Sequence, residues 1–240
     1  MASISSVDLG AHGAGEQKAG QVIHEHVYET LREALIAGQL APGRALSVRR
    51  LAAEFDVSAM PAREAIRRLV AMGALELTPT RRVMIARMSE PKLEEIRKAR
   101  LALEPEICVS ALREVAGRPR QVNKLVRDLV KTDEAMDVSI IDGDVVAYSR
   151  HNRDFHYALY RAANSPVILG LIESLWLQFG PHMRQILGRL GTSCLKDDLH
   201  KDIVAAIQAN DAAALRAAMH ADIDLGMNTI SLNTAMDGES

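Results

Sequence analysis

The sequence predicts a mainly α protein: an N-terminal winged helix-turn-helix followed by an all-α antiparallel helical bundle. Three observations carry this reading. Three short amphipathic helical segments precede Met72 and lead into a pair of β-prone segments. Beyond Ser89 every apolar pattern has the helical period. Basic charge is concentrated ahead of that point. At 240 residues the chain exceeds the usual single domain, so two units of unequal length are expected, each able to bury a core. The expected boundaries are a flexible tail over 1–20, the winged helix over 21–88, the bundle over 89–233 and a second flexible tail over 234–240.

The elements follow in order. From Val22 to Ile36, Val27, Leu31, Ala34 and Leu35 recur at helical spacing, and Gly38 with Pro42-Gly43 ends the helix. Ser47 is placed to cap a short second helix carrying Leu51, Ala52 and Phe55, and Ser58 to cap a third. In that third helix Pro61 falls in the first turn, where a missing N–H costs little, and Ala65, Ile66, Leu69 and Val70 form the apolar stripe. Leu75-Glu76-Leu77 and Val83-Met84-Ile85-Ala86 flank the polar turn Thr78-Pro79-Thr80-Arg81-Arg82, the pattern of a hairpin wing. Amphipathic helices are then expected near 90–115, 119–137, 143–163, 165–189, 195–209 and 212–230. The breakers between them are Gly117-Arg118-Pro119, Asp142-Gly143, Asn164-Ser165-Pro166, Gly191-Thr192-Ser193 and Asn210-Asp211. Short connections between such helices make a bundle.

Composition narrows the class. Apolar residues make up 48% and charged residues 25%, the profile of a soluble globular chain, and no apolar run is long enough to span a bilayer. The first twenty residues lack a basic leader and an apolar core, so a cytoplasmic location is expected. Cys108 and Cys194 lie far apart without metal-ligand spacing and read as buried free thiols. Residues 22–88 hold ten arginines against seven acids, which leaves the rest of a chain of net charge −2 at −5. A basic end on an acidic body suits a protein that meets phosphate with one end.

A recognition helix offers its N-terminal residues to base edges in the major groove, while neighbouring arginines and amides hold phosphates. Ser58, Ala59, Met60, Arg63 and Arg67 on the third helix, Arg49 and Arg50 on the second, and Arg81 and Arg82 on the wing are the candidates. Arginines on an ordinary solvated surface are the alternative for any one of them. Their joint placement at both helix starts and at the wing tip favours DNA.

In the bundle, polar residues fall where apolar ones are expected. The stripe Leu93, Ile96, Leu103, Ile107 passes through Arg100, which must therefore face inward with a partner, either Glu104 at i+4 or a bound anion. Val145, Tyr148, Phe155 and Leu159 make another stripe, and Asn152 and His156 lie on it one turn apart. His200 stands eleven residues before Asp211 and Asp222 eleven after it, so an antiparallel hairpin of the last two helices brings them level. His220 lies about 200° around the helix from Asp222, at about 100° per residue, and reads as solvated. Asn152, His156, His200 and Asp222 thus form an N/O donor set from three helices that suits a divalent transition metal such as Zn, Ni or Mn. Core histidines are the alternative.

The stretch Leu46-Ser47-Val48-Arg49-Arg50-Leu51-Ala52, with Val57-Ser58-Ala59-Met60-Pro61-Ala62-Arg63-Glu64-Ala65-Ile66-Arg67-Arg68-Leu69, resembles the DNA-binding motif of the GntR family of bacterial regulators. The remainder resembles the FadR-like subfamily with its helical FCD-type ligand-binding domain. The resemblance implies that Arg49 and Arg63 contact DNA; a third arginine commonly stands where this chain has Ala59, and a glycine where it has Arg82. It also implies a divalent cation held by an Asp or Asn, a His four residues on and two further His, with Asp222 here in place of the last. The expected protein is a homodimeric transcription regulator and not an enzyme. It binds palindromic operator DNA, and a small carboxylate effector anchored by the metal and Arg100 controls that binding. A helical-bundle metalloenzyme with an appended winged helix, and a protein-interaction role for the winged helix, are the rivals; the first is weakened by the lack of an obvious nucleophile or general base.

Overall fold

The computed structural model describes the backbone of residues 16–80, 82–183 and 199–237, and side chains within 25–80, 82–183 and 199–228. Residues 1–15, Arg81, 184–198 (with Cys194 and the expected Gly191-Thr192-Ser193 break) and 238–240 lie outside the described residues. Two compact units are present, the first holding Leu40–Arg87 with the helix up to Leu35, the second Ile36–Gln39 and everything from Met88.

In the first unit, helix α1 (Glu16–Ile36) is followed by strand β1 (Ala45–Leu46), α2 (Val48–Glu54), α3 (Ala59–Ala71), β2 (Leu75–Leu77) and β3 (Val83–Ile85). α1 begins inside the segment expected to be a tail; Glu16, Gln17, Lys18 and Ala19 are all good helix formers, which propensity favours over coil. Ser47 caps α2 by accepting a hydrogen bond from the Arg50 amide at 3.4 Å. Ser58 occupies the N-cap of α3 with extended backbone, yet its hydroxyl makes no cap bond, so the expected side-chain cap is absent. The turn between the two helices passes through Asp56 at φ +49°, a conformation its short polar side chain tolerates. Val27, Leu31, Leu35, Leu51, Ala65, Leu69 and Ile85 bury the core.

β3 lies between β1 and β2 in an antiparallel sheet, with Leu75 opposite Ile85, Leu77 opposite Val83 and Ala45 opposite Met84. β1 was not apparent from periodicity, since two residues carry no period and their pairing is made across the chain. At the wing tip the Thr78 hydroxyl accepts from the Arg82 amide at 3.0 Å while the Thr78 amide donates to the Arg82 carbonyl at 2.9 Å. A threonine side chain thereby closes a turn in which glycine is absent.

The second unit comprises α4 (Glu90–Val115), α5 (Pro119–Ile141), α6 (Val145–Ala162), α7 (Pro166–Phe179), a single 3₁₀ turn (Gly180–His182), α8 (Leu199–Gln208) and α9 (Ala212–Asp237). The expected helix 165–189 stops at Phe179 because Pro181 can neither donate a helical hydrogen bond nor fit its ring against the preceding turn. α9 continues through residues 234–237, which were expected to be tail. Gly117 (φ +73°), Asn164 (φ +49°) and Asn210 (φ +53°) supply the left-handed residues at the connections. α4 packs against α9, α6 and α7, α5 against α6 and α8, and α8 against α9. Ile107, Leu129, Phe155, Tyr157, Tyr160, Ile172, Trp176, Ile203, Leu215 and Met219 fill the interior.

Candidate functional site

On α3 the apolar stripe fixes what remains outside. Pro61, Ala62, Ala65, Ile66 and Leu69 are buried, and Ser58, Ala59, Met60, Arg63 and Arg67 are exposed. Arg49 and Arg50 at the start of α2 and Arg82 on the wing are exposed as well. The arginines differ in their attachments. Arg67 is held by both oxygens of Glu64, at 2.9 Å from Nε and 2.7 Å from a terminal nitrogen. Arg68 belongs to the scaffold: it pairs with Glu25 at 3.0 Å and its guanidinium stacks 3.5 Å above the Tyr28 ring, tying α3 to α1. Arg63 makes no ion pair among the described residues. The result is an exposed, basic helix face with one arginine tethered and one free, on the element that a winged helix presents to the major groove.

The second cluster lies inside the bundle. α6 contributes His156, α8 His200 and α9 Asp222, and one donor atom from each lies within 4.8 Å of the others. His156 Nε2 is 3.3 Å from Asp222 Oδ2, and His200 Nε2 is 3.6 Å from Asp222 Oδ1. The α8–α9 hairpin thus sets His200 level with Asp222, as the equal spacing about Asp211 requires. Asn152 is buried one turn before His156 on the same face of α6. His220 is exposed and sits beside Asp224 at 3.4 Å, away from the cluster.

Periodicity had not picked out Asp133. It is 5% exposed on α5, and its Oδ1 is 3.5 Å from His200 Nδ1, so the imidazole is bracketed by two carboxylates. The signal was present: Asp133 lies four after Leu129 and three before Met136 on an apolar stripe, the same pattern that singles out Arg100.

Arg100 takes the first of its two expected partners. Glu104, fully buried, binds it through two bonds of 2.7 and 2.9 Å and also accepts from Tyr160 Oη at 2.7 Å and Trp176 Nε1 at 3.2 Å. Four donors on one carboxylate are what a buried charge needs. Burial works against the charge on Arg100, but Glu104 more than offsets it and the pKa lies above its usual value. Arg100 directs its remaining terminal nitrogen toward Met227 Sδ at 3.3 Å, a weak acceptor, and lies over the Phe179 ring at 4.0 Å.

Tyr160 links the two groups, with its hydroxyl 3.3 Å from His156 Nδ1. Its single proton is committed to Glu104, so His156 Nδ1 is the donor in that contact and the neutral ring carries its lone pair on Nε2. Burial, followed by the charges of His200 and Arg100, pushes the His156 pKa well below the usual histidine value. A neutral Nε2 lone pair then faces a carboxylate oxygen at 3.3 Å, an arrangement that a cation between them makes favourable. Donors about 2.0–2.2 Å from one divalent ion lie roughly 3–4 Å apart, a range that holds the 3.3 and 3.6 Å separations of the two imidazoles from the two oxygens of Asp222. The donor set therefore fits such an ion.

A winged helix whose exposed helix face carries an arginine with no ion-pair partner among the described residues, followed by a helical unit with an interior polar cluster, has the form of a DNA-binding regulator. Residues 23–85 match the gntR family of bacterial regulatory proteins and residues 95–225 match the FCD domain. The HTH-type transcriptional regulator McbR of Escherichia coli is 28% identical over 192 residues, covering 79% of this chain and 84% of that protein. The gluconate operon transcriptional repressor of Bacillus licheniformis is 30% identical over 203 residues, covering 81% and 79%. The solved structure of E. coli McbR/YncC superposes with a TM-score of 0.75 at 25% identity, covering 89% of this chain and 96% of that one. The chain belongs to the GntR family, with an FCD domain as its C-terminal part, and is a DNA-binding transcription regulator; its relatives are regulators and repressors, not enzymes. No helix among the described residues is long and apolar enough to cross a membrane.

Proposed function

We propose that the protein is a cytoplasmic, homodimeric repressor whose affinity for a palindromic operator is set by a small carboxylate bound at a metal centre in the FCD domain. The observation that carries the metal reading is the approach of two imidazole ε-nitrogens to the two oxygens of Asp222, with His156 held in the neutral, metal-ligating form. His156, His200, Asp222 and Asn152 would hold the ion. When bound, it supplies a positive centre for the effector's carboxylate.

The surrounding residues do the rest. Asp133 faces His200 Nδ1 and fixes the ring so that Nε2 is the donor. Tyr160 does the same for His156. Arg100 is held charged by Glu104 while one terminal nitrogen is directed at Met227 Sδ, a weak acceptor that an anionic ligand would displace. A relative named for a gluconate operon supports a small carboxylate. Arg49, Arg50, Ser58, Ala59, Met60, Arg63, Arg67 and Arg82, with Arg81 outside the described residues, form the DNA-facing set. Two such faces related by a two-fold axis match two half-sites. The effector acts by binding one separation of the heads more tightly than the other.

Native mass spectrometry of the purified full chain, with elemental analysis, tests this reading. The expected species is a dimer with one divalent ion per chain, released by chelator. A metal-free monomer that binds a single asymmetric site would overturn it.

A further inference from the structure

Met60 is 69% exposed in the first turn of α3, although its side chain is apolar and the core makes no use of it. At about 100° per residue it lies within roughly 20° of Arg67 and 60° of Arg63, so it shares the DNA-facing side of the helix. Helical side chains lean toward the N-terminus, which places Met60 at the end of α3 that enters a major groove first. The chemistry of this face is uneven. Arg67 is tethered by Glu64, Arg63 is without an ion-pair partner among the described residues, and the two residues ahead of the buried Pro61 are Ala59 and Met60, both apolar. Only one feature of a major-groove edge matches an apolar side chain: the 5-methyl group of thymine. An arginine, by contrast, takes guanine O6 and N7.

We propose that Met60 reads the 5-methyl of a thymine in each operator half-site, within two base-pair steps of a guanine read by Arg63. The spacing follows from the helix, since residues three apart have Cβ atoms about 5–6 Å apart and base pairs rise about 3.4 Å. The long, unbranched thioether suits a methyl whose position varies with local groove shape. This inference rests on α3 being the recognition helix.

The test begins by selecting an operator from a randomised duplex pool with the full-length protein. Each thymine is then replaced singly by deoxyuridine, which removes only the methyl, and binding is followed by fluorescence anisotropy. One thymine per half-site should show about a fourfold weakening, the size expected for one buried methyl, and replacement in both half-sites about sixteenfold. Met60→Ala should bind the thymine and uracil duplexes equally, Met60→Leu should retain most of the preference, and Arg63→Ala should bind more weakly while keeping it. Circular dichroism checks that each variant is folded. If no thymine is discriminated, or Met60→Ala keeps the full preference, the methyl contact is wrong while the recognition helix stands. If Arg63→Ala binds the selected operator as tightly as wild type, the helix assignment fails and the inference with it. Loss of self-association by Met60→Ala, with unchanged thymine preference, would assign the residue to a second copy of the chain and overturn the proposal.

Discussion

The first unit carries its candidate charges outside its core, and the second carries them within. In the first, the candidate arginines Arg49, Arg50, Arg63, Arg67 and Arg82 all stand exposed around a core of small and branched apolar residues. In the second, Arg100, Glu104, Asp133, Asn152 and His156 are buried among aromatic rings. On the proposed function, the contrast follows from the ligand each unit would meet. DNA is larger than the unit that reads it and can be met only at a surface, where a charge keeps most of its hydration until it binds. A small anion or a metal can be enclosed, and the enclosing charges must then satisfy one another in its absence. Mutations should therefore cost stability in the bundle and affinity in the winged helix.

The largest effect is expected at Glu104. Glu104→Ala leaves Arg100 buried without its carboxylate and removes the acceptor of Tyr160 and Trp176, so the chain should lose about 3–5 kcal/mol of stability. Denaturant unfolding measures it. A loss below 1 kcal/mol would show that the interior pair is replaceable and would weaken the contrast.

Next come the donors themselves. His156→Ala and His200→Ala should each abolish binding of a divalent transition metal by the full chain, and His220→Ala should not. With free metal at about 100 times its dissociation constant, the wild type gains about 2.7 kcal/mol that both inner variants lack. Asp133→Asn is a subtler change: it keeps the shape but removes the charge facing His200 Nδ1, and metal affinity should fall about 10–100-fold. Equal metal content in wild type and both inner histidine variants would make these core histidines, leaving Arg100 as the argued effector contact.

How much of this was legible beforehand depended on whether the signal was local. Helix α4 and the αL connections at Gly117, Asn164 and Asn210 follow from residues close in sequence. His200 and Asp222 could be paired because a hairpin relates distance to count. β1 could not be read, since two residues have no period and their hydrogen bonds go to β3. The break at Pro181 and the inward Asp133 both carry a local signal, the missing amide and the polar residue on an apolar stripe. Glu104's four donors were not, because three helices supply them.

On the DNA side, Arg63→Ala should cost about 1–3 kcal/mol of operator affinity with unchanged helical content. Acid separates the two units in a different way. In the metal-stripped chain, His156 has a folded-state pKa below its unfolded value of about 6.5, so the unfolded chain binds a proton that the folded one refuses. Its contribution is therefore complete above about pH 6.5 and is lost as the pH falls from there toward the folded value, at up to about 1.4 kcal/mol per pH unit. His156→Gln should flatten that slope. An unchanged slope would place the acid sensitivity elsewhere.

The smallest expected effect is at Glu64, and it bears on whether exposure alone makes an arginine available. Arg67 is exposed, yet both Glu64 oxygens hold it within a single turn of helix. A pair so open to water is weak, and a phosphate competes with it easily. Glu64→Ala removes the tether, keeps a good helix former and deletes a negative charge from the DNA-facing helix. Operator affinity should rise a few-fold at low salt. The logarithmic salt slope should steepen by about 0.9 per head if the freed guanidinium gains one phosphate. A rise in affinity with no change in slope would mean that Glu64 acted only through its own repulsion of DNA. No change in either would mean that Arg67 already leaves Glu64 whenever DNA is bound, and the difference between Arg63 and Arg67 would then vanish in the complex.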